Sequence, residues 1–192
     1  MEVQELCRNL PILETERLIL RKITLDDLED MFEYCSIDEV SRNVTWETHK
    51  SMADTKQFLE MILEQYENEK VVFWGIQWKE NSRLIGTIDY VSWNPIHKIG
   101  EIGYVLSPDF WGKGIMTEAA KEVIKFGFEE MGLVRIQARC FLQNQGSERV
   151  MQKIGMALEG TVRKGIFAKG KHQDLKLYAI VNDNFQKRTT TP

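Results

Sequence analysis

The chain has 192 residues, of which 43% are hydrophobic and 28% charged, and its formal net charge at neutral pH is −4. It is long enough for one domain with a sizeable core, and its composition is typical of a soluble globular protein. The acidic balance argues against a nucleic-acid-binding protein, and no apolar run approaches the roughly 20 residues that a membrane-spanning helix needs.

Signals for targeting, disulfides and metals are weak or missing in the sequence. Cys7, Cys35 and Cys140 are odd in number and widely spaced, which indicates neither a disulfide framework nor a metal site. Charges at Glu2 and Arg8 interrupt any apolar core of a signal peptide. We therefore expect a cytoplasmic protein with no bound metal.

The first half of the chain predicts a strand, two helices and three strands. Residues 18–21 form a short apolar strand, and Thr24 is suited to cap a helix that runs toward Cys35. Residues 52–68 have the apolar spacing of a helix, and residues 40–50 between the two helices look irregular. Strands are predicted at residues 71–78, 84–93 and 99–106, and the short turns between them require antiparallel neighbours.

The second half predicts a glycine-containing loop, a helix to about residue 131, a strand at 134–141 and a helix at 145–154. The helical crossover makes strand 134–141 parallel to strand 99–106. Two closing strands follow at residues 156–167 and 172–181. We predict an α/β (α+β) fold with about seven strands in a mostly antiparallel sheet and four helices. With no linker or repeat in the chain, we expect one domain with its core between about Thr15 and Phe185.

The loop at residues 109–120 is the most informative segment. Gly112 and Gly114 let the backbone turn sharply, and the first turn of the next helix has free N–H groups and the positive end of the helix dipole. A P-loop would need four residues between the glycines, and a dinucleotide fingerprint would need a third small residue at Thr117. We therefore predict a pyrophosphate site of another class, with these candidate ligand groups: Trp111, Gly112, Lys113, Gly114, Ile115, Met116 and Thr117.

This loop resembles the pyrophosphate loop of the GNAT acetyltransferase superfamily. The segment from Asn144 to Met156 resembles the second signature of that superfamily, with Met156 in place of the usual Phe. The order of predicted elements is also that of the GNAT fold, so the resemblance covers nearly the whole chain. It implies a single GNAT domain over residues 1–192, a splayed pair of parallel strands and acetyl-coenzyme A (acetyl-CoA) as the cofactor. An extended pantetheine arm can fill such a gap as a pseudo-strand, with Asn144 at its mouth.

Several further segments resemble the ribosomal-protein N-terminal (RimJ/RimL-type) branch of this superfamily. They are the runs 15–21, 101–104, 111–119, 159–160 and 174–178. The resemblance implies an N-acetyltransferase that acts on a protein or peptide N-terminal α-amine. The branch also contains acetylators of amino acids, polyamines and drugs, so a small-molecule amine stays open as the acceptor.

Acetyl transfer to an amine requires a base, an oxyanion donor and a weak acid. The resemblance assigns the acid to Ser147, and the amides of Val105 and Leu106 on the splayed strand are natural oxyanion donors. Glu101 is the best carboxylate for the base, because strand alternation puts it on the same face as Val105. Cys140 occupies a second family position for a base but is a poor one, and a chain of waters is an alternative.

Candidate acceptor contacts are Trp46, in the irregular segment, and Tyr104. His49, His97 and His172 share no metal-like spacing and are expected at the surface. Two other functions remain open. The first is a non-catalytic acyl-CoA-binding module on the same fold, and the second, which the sequence favours least, is an unrelated nucleotide-dependent enzyme. We expect no nucleic-acid or membrane partner, and an exposed last strand would be compatible with a homodimer.

Overall fold

The computed structural model describes residues 3–182, which form an eight-stranded sheet with helices packed against it. The strands are β1 Leu13–Glu14, β2 Leu18–Arg21, β3 Val72–Trp78, β4 Leu84–Asn94, β5 Ile99–Leu106, β6 Arg135–Phe141, β7 Ala157–Ala168 and β8 Lys171–Val181. The helices are α1 Val3–Arg8, α2 Leu28–Cys35, α3 Asp38–Ser41, α4 Met52–Glu67, α5 Ile115–Glu129 and α6 Gln145–Lys153. The strand order is β1-β2-β3-β4-β5-β6-β8-β7.

The predicted fold class is confirmed, but the numbers of elements are larger than predicted. The additional strand is β1, with two residues, and the additional helices are α1 and α3, with six and four residues. Elements this short hold too few residues for a periodic pattern of apolar positions to emerge. The predicted end of the core at Phe185 lies outside the described residues, and the single-domain organisation stays a prediction.

The parallel pair of strands is splayed. β5 pairs with β6 only where Ile99, Gly100 and Glu101 face residues 135–137. Beyond Glu101, residues 102–106 of β5 are paired with β4 alone, and residues 138–141 of β6 are paired with β8 alone. A wedge-shaped gap therefore opens between the carboxyl ends of β5 and β6, as the sequence predicts.

The two closing strands enter the sheet in reverse order. β8 lies between β6 and β7, and it pairs with both. The last strand is therefore interior, which corrects the expectation that it is exposed. The edge of the sheet on this side is β7, so an edge-to-edge contact of two copies on this side would use β7.

The two faces of β4 and β5 have different environments. On the first, which we call the α5 face, Tyr90 donates a hydrogen bond of 3.0 Å to the Val123 carbonyl of α5, and Tyr104 lies opposite Ile88. On the second, the α4 face, Thr87 lies opposite Val105 and next to Phe58 of α4, and Asp89 lies opposite Gly103. Among residues 3–182, no helix has the length and apolar character needed to cross a lipid bilayer.

Candidate active site

The loop before α5 has a left-handed backbone at two glycines and a run of backbone N–H groups that are unpaired within the described part of the chain. Gly112 and Gly114 have φ angles of +73° and +75°, a left-handed conformation that favours glycine. The first helical hydrogen bond of α5 runs from Glu118 N to Gly114 O over 3.0 Å, and no side chain caps the helix. The backbone N–H groups from Gly112 to Thr117 donate to no acceptor within residues 3–182. They are the donors that a pyrophosphate would use.

An ion pair between distant segments holds this loop in place. The Glu118 carboxylate accepts hydrogen bonds from Thr15 Oγ1 at 2.6 Å, from Arg17 N at 2.9 Å and from Arg17 Nε at 2.7 Å. Arg17 Nη1 also donates to the carbonyl of Lys113 inside the loop. Burial pushes the pKa of Glu118 up, but the bonds from Thr15 and Arg17 outweigh it and lower the pKa overall. The start of β2 and the phosphate loop are thus tied together.

Two aromatic side chains complete the loop. The indole Nε1 of Trp111 donates to the Leu106 carbonyl at 2.8 Å, which fixes the turn between β5 and α5. The ammonium of Lys113 lies 5.5 Å from the ring centre of Phe110. In this position Lys113 adds positive charge beside the loop, while the backbone supplies the directed donors.

The orientation of the β5 backbone distinguishes the two predicted oxyanion donors. Ser107 N donates to Ile85 O at 2.8 Å, so residue 107 turns its N–H toward β4. Because N–H directions alternate along a strand, Val105 also points its N–H toward β4 and Leu106 points its N–H toward the gap. Leu106 is therefore the better placed donor for an acetyl group in the gap. Gly86 lets β5 approach closely, because a Cβ there would collide with the Val105 carbonyl oxygen.

The predicted acid sits at the start of α6. Asn144 caps this helix, and its Oδ1 accepts a hydrogen bond from Ser147 N at 3.0 Å. The Ser147 hydroxyl lies 2.9 Å from the hydroxyl of Tyr104, which also donates to the Ser147 carbonyl at 3.1 Å. Burial raises the pKa of Tyr104, so its phenol stays protonated at neutral pH. Tyr104, predicted as an acceptor contact, lies on the α5 face, where its hydroxyl and that of Ser147 are hydrogen-bonded to each other.

The predicted base is engaged in an ion pair. Glu101 is 7% exposed, and its two carboxylate oxygens accept from Arg139 Nε at 2.7 Å and from Gln137 Nε2 at 2.9 Å. It also lies where β5 and β6 are still paired, before the gap opens. Cys140, the alternative family position, is buried, and burial raises the pKa of its thiol to about 11. The role of Glu101 as base stays a prediction, and the contacts of its carboxylate favour a structural use.

A small cleft on the α4 face adjoins Val105. Its lining is aromatic or uncharged and consists of Tyr34, Cys35, Trp46, His49, Phe58, Thr87 and Val105. His49 is less exposed than expected, since its half-buried ring lies 5.2 Å from Trp46 and 6.0 Å from Phe58, whereas His97 and His172 are exposed as expected. Burial lowers the pKa of His49, and its Nδ1 lies 2.8 Å from Thr55 Oγ1. Trp46 lines this cleft, and its role as an acceptor contact stays a prediction. Lys169 of the β7–β8 turn donates to the Trp46 carbonyl at 2.6 Å.

One carboxylate near this cleft was missed by sequence reasoning. Asp89 is half-buried on the α4 face, directly opposite Gly103, and burial raises its pKa to about 7. The signal that could have found it is an acidic residue inside an otherwise apolar strand, between Ile88 and Tyr90. For the residues described, no group of three His, Cys, Asp or Glu side chains is arranged to hold a metal ion.

The chain was compared with known proteins. Residues 17–157 match the family model for the acetyltransferase (GNAT) domain. The uncharacterized N-acetyltransferase YoaA of Bacillus subtilis (strain 168) is 36% identical over 171 residues, which cover 89% of this chain and 97% of that protein. A crystal structure of a GNAT-family acetyltransferase from Bacillus anthracis is 33% identical, with a TM-score of 0.78, and the match covers 89% of this chain and 98% of that one.

A third relative has a named substrate. The ribosomal-protein-serine acetyltransferase of Escherichia coli (strain K12) is 30% identical over 105 residues, which cover 55% of this chain and 59% of that protein. The family match includes the glycine loop before α5, the splayed β5–β6 pair and the start of α6. The chain therefore belongs to the GNAT acetyltransferases and is an N-acetyltransferase that uses acetyl-CoA.

Proposed function

We propose that the acceptor is the N-terminal α-amine of a protein or peptide, and that the acetyl group passes to it directly in a ternary complex. The observation that carries this proposal is the position of the β5–β6 gap relative to the cleft. The gap receives the acetyl thioester beside Leu106, and Val105, the residue before it, lines the cleft on the α4 face. Cofactor and acceptor can thus meet at one strand without a covalent enzyme intermediate.

The lining of the cleft favours a peptide over a polyamine. A polyamine carries several ammonium groups, and each would have to be paired in a partly buried site. None of the seven side chains that line the cleft is a carboxylate; on the same face, Glu101 is paired with Arg139, and Asp89 has no such partner among residues 3–182. The relatedness to the ribosomal-protein-serine acetyltransferase supports the same choice of acceptor.

The proposed roles follow from the geometry. The N–H groups from Gly112 to Thr117 hold the pyrophosphate, and Asn144 at the start of α6 lies at the mouth of the gap. The Leu106 N–H stabilises the negative charge on the carbonyl oxygen when the amine adds to the acetyl carbon. Ser147, hydrogen-bonded to Tyr104, supplies a proton to the leaving sulfur.

The test is release of free thiol from acetyl-CoA with a panel of amines. The panel contains peptides that begin with Ser, Ala or Met, the same peptides with a blocked N-terminus and an internal lysine, and also spermidine, amino acids and aminoglycosides. Turnover that needs the free α-amine supports the proposal. Turnover only with a small amine would replace it with a metabolite or drug acetylator. If no amine in the panel causes thiol release although the protein still binds coenzyme A, a non-catalytic acyl-CoA-binding module would be favoured.

The same proposal extends to the organisation of the protein. We infer a single GNAT domain over residues 1–192 that works in the cytoplasm, where ribosomal proteins are made, without a nucleic-acid or membrane partner. A homodimer would form through the β7 edge of the sheet. Sedimentation of the purified chain tests this, and a monomer at micromolar concentration would rule it out.

A further inference from the structure

Asp89 is an unusual residue for its position. It lies in the middle of β4 between Ile88 and Tyr90, which are both buried. Its carboxylate makes no hydrogen bond or ion pair with any other group in the part of the chain that the structure covers. A half-buried carboxylate without a partner is costly, because it loses water and gains no hydrogen bond in exchange.

Gly103 faces this carboxylate across the strand pair, and the Val91 side chain fills part of the space that a side chain at residue 103 would occupy. A Cβ at Gly103 would lie 3.3 Å from Asp89 Oδ1 and 2.7 Å from Val91 Cγ1. Any larger residue on β5 would cover the carboxylate or displace it. The absence of a side chain at residue 103 therefore relieves crowding of the Asp89 carboxylate, which stays half-buried on the α4 face.

Within residues 3–182, no positively charged group offsets the effect of burial on the pKa of Asp89. From α4 comes the hydroxyl of Tyr66, whose pKa is raised mainly by burial and in smaller part by the charge of Asp89. From β5 comes Glu101, which is neutralised by Arg139 of β6. From β3 the neighbour is the apolar Phe73. Burial without a compensating positive charge is the reason that the pKa of Asp89 rises to about 7.

The carboxylate also lies within reach of the reaction. Asp89 is two residues from Thr87 on the same face of β4, and Thr87 lies opposite Val105 at the cleft. Two residues of a strand span about 7 Å, and the length of the Asp89 side chain together with one bridging water molecule can cover this distance to an amine in the cleft.

We propose that Asp89 is the general base of the reaction, which holds the acceptor ammonium and removes its proton directly or through one water. The inference rests on the proposed function. One N–H bond of the ammonium breaks and an O–H bond forms on Asp89. The free amine then forms a C–N bond with the acetyl carbon, and its second proton passes by way of Ser147 to the sulfur as the C–S bond breaks. Asp89 returns its proton to solvent, so the products are the amide, coenzyme A thiol and one proton.

Two features suit Asp89 to this role better than Glu101. A base works best when its pKa lies near the working pH, and the Asp89 carboxyl meets this condition. The oxygens of Glu101 are already occupied by Arg139 and Gln137, whereas those of Asp89 are available to an ammonium.

The decisive experiment measures kcat/KM for Asp89→Asn from pH 6 to 10 with an acceptor found in the amine panel. At pH 7 we expect a loss of about 10²- to 10⁴-fold, the usual contribution of a general base. The loss should shrink as pH rises toward the amine pKa of about 8, because the variant can use only amine that is already neutral. Acetyl-CoA affinity should stay within twofold of wild type.

The matched control is Asp26→Asn, which neutralises an exposed aspartate on the turn before α2 and should leave kcat/KM unchanged. A merely structural role for Asp89 predicts a loss that is the same at every pH. Such a constant loss, or normal activity of Asp89→Asn at pH 7, would overturn the proposal.

A second measurement does not depend on turnover. In protein labelled with ¹³C at aspartate carboxyls, one signal should titrate near pH 7 and be absent from Asp89→Asn. Titration of Asp89 near its ordinary pKa of about 4 would overturn the base assignment whatever the kinetics show. If wild-type protein acetylates no amine but Asp89 titrates near pH 7, the proposed function is wrong, whereas the raised pKa of Asp89 is confirmed.

Discussion

Replacing Glu118 with Gln should loosen the phosphate loop, and the size of the effect can be worked out from the contacts of the carboxylate. Glu118 is 18% exposed at its side chain and accepts from Thr15 and twice from Arg17. Hydrogen bonds to a charged group contribute about 1.5–3 kcal/mol each. Gln keeps one acceptor oxygen but turns an NH₂ group toward the Arg17 guanidinium. Because Arg17 is 37% exposed, solvent screens part of the loss, and we expect about 2 kcal/mol of destabilisation.

The same contact predicts how the effect depends on pH. The pKa of Glu118 in the folded protein is lowered from the ordinary 4.5, so the charged form is favoured by folding. Its contribution is therefore fully present above about pH 4.5 and is lost as pH falls through the folded-state pKa. The difference in unfolding free energy between wild type and Glu118→Gln should be constant from pH 6 to 8 and should shrink at pH 4.

Denaturant unfolding at pH 7 and pH 4, together with calorimetric titration of acetyl-CoA, tests both statements. Arg17 also holds the Lys113 carbonyl, so loss of its partner should weaken acetyl-CoA binding about fivefold or more, or about 1 kcal/mol. The control is Glu122→Gln on the same helix, which removes only a 3.7 Å pair with Lys125 and should cost under about 0.5 kcal/mol. The reasoning is refuted if Glu118→Gln unfolds like wild type, or if it is destabilised while acetyl-CoA affinity is unchanged.

Three further predictions concern the site. Gly112→Val puts a β-branched residue at φ +73°, which should change the loop backbone and abolish coenzyme A binding. The protein should still fold, because a Cβ at this position meets no atom within 4 Å. Unchanged affinity in calorimetry would exclude the loop as the coenzyme A site. Ser147→Ala should lower kcat about 10- to 100-fold with little change in cofactor affinity, and wild-type rates in steady-state kinetics would remove its role as acid. Asp89→Asn should be more stable than wild type at pH 8 by up to about 4 kcal/mol. The reason is that the pKa of Asp89 is raised from 3.8 to about 7 by folding, so wild-type stability is lost as pH rises between those values. An equal difference in stability at pH 4 and pH 8 in thermal unfolding would contradict this.

The fold could be predicted where one strand or helix carries enough residues to show its period. β4, β5 and α4 are of this kind, and their observed bounds differ from the predicted ones by one residue at most. α3 has four residues, which is a single turn, and its position depends on tertiary contacts. Local sequence patterns also do not determine which strands are neighbours in the sheet. For this reason the sequence predicts β8 at the edge, although it lies inside the sheet.

The cofactor side of the site was easier to predict than the acceptor side. A phosphate loop depends on backbone conformation, and Gly112 and Gly114 signal that conformation in the sequence itself. The partner of Glu101 depends on the register of two strands that are distant in sequence, which brings Arg139 and Gln137 to its carboxylate. The acceptor-contact role of Tyr104 stays a prediction; strand alternation places Tyr104 and Val105 on opposite faces of β5, so the two side chains contact different helices.

The cost of Asp89 to the stability of the folded protein indicates why an aspartate occupies this position. At neutral pH the folded protein must either ionise this carboxyl without a partner or hold it protonated, and both choices cost free energy relative to the unfolded chain. Asparagine has nearly the same shape, would carry no charge and would avoid that cost, so packing alone gives no reason for an aspartate here. Gly103 adds to the case, because a Cβ there would lie 3.3 Å from Asp89 Oδ1 and crowd the carboxylate. A residue that destabilises the fold and is left uncrowded by its neighbour is best explained by the chemistry it performs.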